Sequence, residues 1–254
     1  MKEKEFDVGY WEDVWETVRI PQERKAEDID EIHHILKKIL PRGKLKLIEI
    51  GCAPGSWLAY FHNSFNYSVS GIEYAPRAHE KTIDNLNLLH IPREIFQGDF
   101  LDFRHEPYDV VFSAGFIEHF KEVASVIQKI VNLCASNGGF VITIIPSMQG
   151  LNRCISKTFR PHVAAGHFPI TRKELVKYHE RFGLETLYCN YVGSFHILPP
   201  VDKNQFSKQH PSVSAILNLP FRGWNRIVSI LTKRTGLYPK LPFLTNSIIY
   251  IGRK

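Results

Sequence analysis

Glu49 sits near the end of an apolar run, Leu47-Ile48-Glu49-Ile50, and the loop Gly51-Cys52-Ala53-Pro54-Gly55 follows it. The chain resumes as Ser56-Trp57-Leu58-Ala59-Tyr60-Phe61, which reads as a helix. Such a strand–loop–helix unit brings bare backbone and a helix N-terminus against a small ligand. The acid selects the ligand, because a carboxylate there repels a pyrophosphate and attracts an ammonium or a sulfonium. The pattern points to a cationic, amino-acid-like cofactor, a description that S-adenosylmethionine fits.

Three more acids, Glu73, Asp99 and Glu118, fall at or just beyond the ends of later strand-like runs. Ligands of open α/β sheets bind outside the carboxyl ends of the strands, so all four acids are expected to converge on one molecule. Glu73, 18 residues after Gly55 and beside Tyr74, is placed to accept from both hydroxyls of a ribose. Asp99 suits an adenine amino group, with Phe100 against the ring, and Ser113-Ala114-Gly115 leaves room for a methionine chain. Methyl transfer is an in-line displacement in which the protein mainly positions and desolvates. A hydroxyl acceptor must also lose a proton, and His119, His162 and His167 are the candidates to take it. His167 is the expected base, and His119 is expected to shape the pocket.

The elements needed to hold these residues are legible. An amphipathic helix is predicted over residues 27–40, stopped by Pro41-Arg42-Gly43. Strands are predicted at 45–50, 68–73, 92–97, 108–113, 140–145, 184–192 and 246–251. Helices are predicted at 77–90, 121–135 and 171–182, the last opened by a Thr171/Glu174 capping box, with a polar loop over 153–169. Strands alternating with helices imply a doubly wound, largely parallel sheet between helical layers. The expected organisation is a single domain: a helical lid at 1–44 carrying Tyr10, Trp11 and Trp15, a core at 45–194 and 246–254, and an insertion at 197–244.

On Glu49-Ile-Gly-Cys-Ala-Pro-Gly55, Gly71-Ile-Glu73, Gly98-Asp99, residues 108–120 and the Gly138-Gly139 turn, the chain resembles class I S-adenosylmethionine-dependent methyltransferases acting on small molecules. The resemblance implies a Rossmann-like sheet of seven strands with the last antiparallel, interrupted here by a helical insertion between strands six and seven. It also implies cofactor contacts at Gly51, Gly55, Glu73, Asp99 and the segment after strand four. The family usually has glycine where this chain has Ala53, which fits only if φ stays negative there. A nicotinamide dinucleotide requires Gly-x-Gly-x-x-Gly, whereas the corresponding residues here are Gly51, Ala53 and Ser56. No Asp-Pro-Pro-Tyr, Asn-Pro-Pro-Tyr or Pro-Cys follows strand four, which disfavours enzymes that methylate nucleic-acid amines or use a cysteine nucleophile.

The expected activity is methyl transfer to oxygen, less readily carbon, of a small-molecule acceptor such as a sugar, a lipid-linked intermediate or a quinone-type ring. The competing readings are a protein or RNA methyltransferase and a non-catalytic S-adenosylmethionine-binding scaffold. Charge bears on this. The chain carries +6, but residues 202–254 alone carry +8 and the remainder −2, so the basicity is remote from the predicted cleft. That distribution disfavours a nucleic-acid partner. In the insertion, Gly223–Arg234 puts Trp224, Ile227, Val228 and Leu231 on one helical face and Arg226, Lys233 and Arg234 elsewhere. The segment 203–240 thereby fits peripheral contact with anionic lipid, an active-site roof or a dimer contact. Cys52, Cys134, Cys154 and Cys189 are scattered, which argues against disulfides or a zinc site and suits a cytoplasmic protein without signal peptide or membrane span.

Overall fold

The computed structural model describes residues 8–16, 18–159, 161–194, 197, 210–238, 240–243 and 245–254. The apolar run through Glu49 forms β1 (Lys46–Ile50), which pairs in parallel with β2 (Ser68–Glu73) on one side and β4 (Val110–Ala114) on the other. Beyond β2 lies β3 (Arg93–Gln97), and beyond β4 lies β5 (Phe140–Pro146), both also parallel. β7 (Thr245–Arg253) runs antiparallel between β5 and β6 (Glu185–Ser194). The strand order is β3-β2-β1-β4-β5-β7-β6, and its direction reverses between β1 and β4. The reversal opens a crevice at the strand tips.

Strand residues that read as unbroken apolar runs divide between two faces, as a doubly covered sheet requires. Ile48, Ile50, Val111, Val141, Ile145 and Ile248 pack on one side, with α5 (Val123–Asn132) and α8 (Arg172–Glu180). Leu47, Val110, Phe112, Ile142 and Ile249 pack on the other, with α2 (Asp30–Ile39), α3 (Ser56–Phe65) and α4 (Pro76–Leu88). The second core is largely aromatic: Phe61 meets Phe112 edge-on with ring centres 5.0 Å apart, and Trp57 lies 5.0 Å from the same ring. This packing fixes α3, and with it the loop after β1.

Three expectations are corrected. The fourth strand starts at Val110, because Tyr108 pairs with Cys134 as an isolated bridge, and it extends through Ala114. The predicted polar loop over 153–169 instead holds α6 (Leu151–Phe159) and α7 (Pro161–Ala165). The polar residues that suggested a loop are used inside: Asn152 and Ser156 are buried, and the Asn152 amide donates to Asn246 Oδ1. The helix expected to begin at Gly223 is α9 (Pro211–Thr235), continuous through Pro220. The Thr171/Glu174 capping box forms as predicted, Glu174 N donating to Thr171 Oγ1 at 3.2 Å and Thr171 N to Glu174 Oε2 at 2.8 Å.

α9 is turned inside out. Its protein-facing positions are Ser214, Asn218 and Val228, while Ile216 (69% exposed), Leu219 (67%), Trp224, Ile227 and Leu231 face outward. Asn225, on the inner side, exchanges two 2.8 Å bonds with the backbone of Ile197. No helix among the described residues is long and apolar enough to cross a membrane. Positions 198–209, 239 and 244 of the insertion lie outside the described residues.

Candidate active site

A cavity of about 390 Å³ occupies the crevice above β1 and β4. Its floor is the loop after β1, which two amides anchor to the neighbouring strand, Gly51 N and Cys52 N both donating to the Ile72 carbonyl. Gly51 has φ +69°, so the backbone at position 51 favours glycine, and a Cβ there would press on the Phe116 ring at 3.2 Å. Gly55, at φ +85°, caps α3, and a Cβ there would meet Leu86 at 2.9 Å. Ala53 is not among the residues with positive φ, so its methyl group is accommodated without strain.

Three of the four strand-end acids line this cavity: Glu49, Glu73 and Asp99. Burial pushes the Glu49 carboxyl well above the usual carboxylate range, Glu73 adds to the shift, and Arg24 opposes it. Arg24 comes from the segment before α2 and lies with its guanidinium 4.3 Å from the centre of the Trp57 ring. It also lines the cavity. Glu73 is tied down by backbone: Tyr74 N and Ala75 N donate to Oε1 at 2.8 and 3.2 Å, and Ala53 N donates to Oε2 at 3.2 Å. Burial raises the Glu73 pKa, and these amides pull against it. Asp99 accepts from Leu101 N at 2.9 Å, and Phe100 packs edge-on to Phe116.

The fourth acid goes elsewhere. Glu118, in the turn Ile117–His119, lines an adjoining cavity with His119, His167, Tyr10 and Trp11. The expected convergence of all four acids on one ligand site is thus corrected to three. The turn carries Glu118 past the tip of β4 and aims it toward β5. The two cavities share Trp11, Gly115 and His119. Glu118 is 1% exposed, and neither carboxylate oxygen has a partner at hydrogen-bond geometry. Burial pushes its pKa to about 8, and the nearby amides of Glu118 and Phe116 offset only part of that. Beside it His119 donates Nδ1–H to the Gly166 carbonyl at 3.0 Å. Burial, with some help from His167, lowers the His119 pKa to about 4, so the ring is neutral at physiological pH. The His119 and His167 ring centres are 4.6 Å apart.

Of the other candidates, Gly51, Ala53, Pro54, Tyr74, Phe100, Ala114 and Gly115 line the first cavity. Cys52, Gly55 and Ser113 are not among its lining residues. Cys52 turns its sulfur beneath the loop into the space left by Gly71, where a Cβ would sit 2.5 Å from Sγ. Ser113 lies within β4, as the predicted strand already had it, and is buried there. His162 falls in α7, and its side chain lies outside the described residues. Trp11 and Trp15 of α1 (Val8–Glu16) line the first cavity. That helix is docked on α4, where Glu12 accepts from Arg77 N at 2.9 Å and Lys81 Nζ donates to the Glu16 carbonyl. Arg24 and Trp57 were not anticipated. An arginine 25 residues upstream of Glu49 has no periodic relation to it, and Trp57 reads only as helix core.

A methyltransferase-domain family profile matches residues 21–188, more than half of the chain. No curated protein matches the sequence. Solved structures share the fold at low identity. An S-adenosylmethionine-dependent methyltransferase from Archaeoglobus fulgidus is 14% identical, with a TM-score of 0.55 over 98% of this chain and 100% of its own. A cyclopropane synthase from Mycobacterium tuberculosis is 14% identical, with a TM-score of 0.59 over 89% and 84%. Phosphoethanolamine N-methyltransferase 2 from Haemonchus contortus, solved with S-adenosylmethionine, is 13% identical, with a TM-score of 0.60 over 89% and 52%. The protein belongs to the methyltransferase-domain family and has the Rossmann-like fold of these structures.

Proposed function

We propose that the first cavity seats S-adenosylmethionine and that the methyl group passes to oxygen of a small or lipid-linked acceptor approaching through the second. The observation that carries this reading is the charge around the first cavity: Glu49, Glu73 and Asp99 against Arg24, the one Lys or Arg among its described lining residues. A zwitterionic methionine end is complementary to the pair Glu49 and Arg24, its ammonium to the acid and its carboxylate to the guanidinium. The ribose hydroxyls belong to Glu73 and the adenine to Asp99 and Phe100. Gly51, Ala53 and Pro54 offer backbone to the methionine chain, with Ala114 and Gly115 opposite. Trp11 and Trp15 cover the site and exclude water, which strengthens every charge contact inside it.

Oxygen is favoured because a hydroxyl acceptor must lose a proton, and the imidazoles of His119 and His167 stand together next to the cofactor cavity. α9 supports a lipidic acceptor or an anionic membrane surface. Its outward face is apolar, its exposed Arg222, Arg226 and Lys233 flank that face, and Asn225 ties it to the backbone of Ile197. Labelled S-adenosylmethionine, incubated with the protein and separated lipid, small-molecule, protein and RNA fractions, tests the assignment. Label in a base-stable ether of a lipid or small molecule is expected, and label confined to protein or RNA overturns it.

A further inference from the structure

We propose that Glu118, His119 and His167 form a divalent transition-metal site that binds the acceptor oxygen. One ligand atom from each residue lies within 4.8 Å of the others. Metal–ligand distances of roughly 2.0–2.2 Å demand only a small inward rotation of the side chains from there. Two imidazoles and one carboxylate, with a face left open, are the donor set of hydrolytic zinc and non-haem iron centres.

A second observation points to a bound cation. Both oxygens of Glu118 are buried, no group meets them at hydrogen-bond geometry although the Glu118 and Phe116 amides lie near, and the side chain belongs to the wall of the second cavity. A buried carboxyl stays uncharged unless a cation meets it, and no lysine or arginine lines that cavity among the described residues.

The backbone holds the three ligands in place. His119 donates Nδ1–H to the Gly166 carbonyl, a backbone bond of the kind that orients metal-binding imidazoles. Phe168 N donates to the Glu118 carbonyl at 2.7 Å. These two bonds flank His167 and stitch its loop to the turn bearing the other two ligands.

This inference rests on the oxygen-acceptor reading above and adds the agent of proton loss. An ion here lowers the pKa of a coordinated hydroxyl. The hydroxyl proton leaves to solvent, and the oxygen then bonds to the methyl carbon. The S–C bond breaks with its electron pair staying on sulfur. His167 then acts as a ligand and not as the proton acceptor.

The test uses the full chain freed of metal by chelation. Titration with Zn²⁺ by calorimetry and with Co²⁺ by its visible absorption is expected to give one equivalent bound. Glu118→Gln and His167→Gln are each expected to weaken binding at least ~10-fold, while Cys154→Ser, exposed and not part of the cavity wall, leaves it unchanged. Should either variant melt early, anomalous scattering from Co²⁺-soaked wild-type crystals locates the ion directly. No stoichiometric binding, unchanged affinity in folded variants, or an ion found elsewhere overturns the site. A parallel titration with S-adenosylhomocysteine keeps the two readings apart: its uptake without metal sinks the metal site alone, and metal without its uptake sinks the cofactor assignment alone.

Discussion

The Ala53 amide donates to Glu73 Oε2 at 3.2 Å, so the acid that ends the second strand also holds the loop that leaves the first. One carboxylate therefore couples two parts of the proposed cofactor site, the loop and the ribose position. Glu73→Ala is expected to weaken S-adenosylhomocysteine binding by about 1.5–3 kcal/mol, the scale of hydrogen bonds to a charged group. Calorimetry measures it. Unchanged affinity would remove Glu73 from the site.

Arg24 over Trp57 and facing Glu49 makes a second, separable claim. If the guanidinium pairs with the methionine carboxylate, Arg24→Met costs S-adenosylhomocysteine about 2–3 kcal/mol, as for truncating one partner of a buried charge pair. Methylthioadenosine, which lacks the amino-acid end, should bind both proteins alike. Equal losses for the two ligands would reduce Arg24 to a structural support.

How much of this was legible follows from how local each signal is. Glu49, Glu73 and Asp99 could be placed at one crevice from strand ends alone, because parallel strands bring their carboxyl ends to one edge. Glu118 was read by the same rule and went astray, since a single turn after β4 redirects it into the next cavity. His167 stands 48 residues from His119, and their contact depends on how the segment after β5 folds, which its polar residues disguised as loop. In α9 the apolar periodicity was legible but its direction was not. Only the three-dimensional contacts reveal that Ser214 and Asn218 face the protein and Trp224 and Ile227 do not.

That inversion yields a prediction about surfaces. Trp224 and Ile227 lie exposed in α9, and burying side chains of this size in lipid is worth about 1.5–3 kcal/mol each. Sedimentation with phosphatidylserine vesicles should capture the wild type, and the double substitution Trp224→Glu with Ile227→Glu should cut capture at least ~10-fold. Added salt should weaken it as well, by screening Arg222 and Arg226. Capture that is equal for both proteins would mean the helix is not the contact.

His179 offers a test of the core by pH. Its Nδ1–H donates to the Leu175 carbonyl at 2.7 Å, and its Nε2 accepts from the Thr143 hydroxyl at 3.0 Å, so the neutral ring is fully satisfied. Burial holds the pKa near 4, below the 6.5 of an exposed histidine. The unfolded chain therefore binds the extra proton first as pH falls. The stability from keeping this ring neutral is complete above pH ~6.5 and is lost progressively as pH drops toward ~4, up to roughly 3 kcal/mol in all. Urea unfolding of wild type and His179→Gln across that range isolates the contribution, because every other titrating group is common to both. The wild type's advantage should shrink with acidity. A gap that stays constant with pH would mean that this imidazole does not titrate between the folded and unfolded chains as its surroundings require.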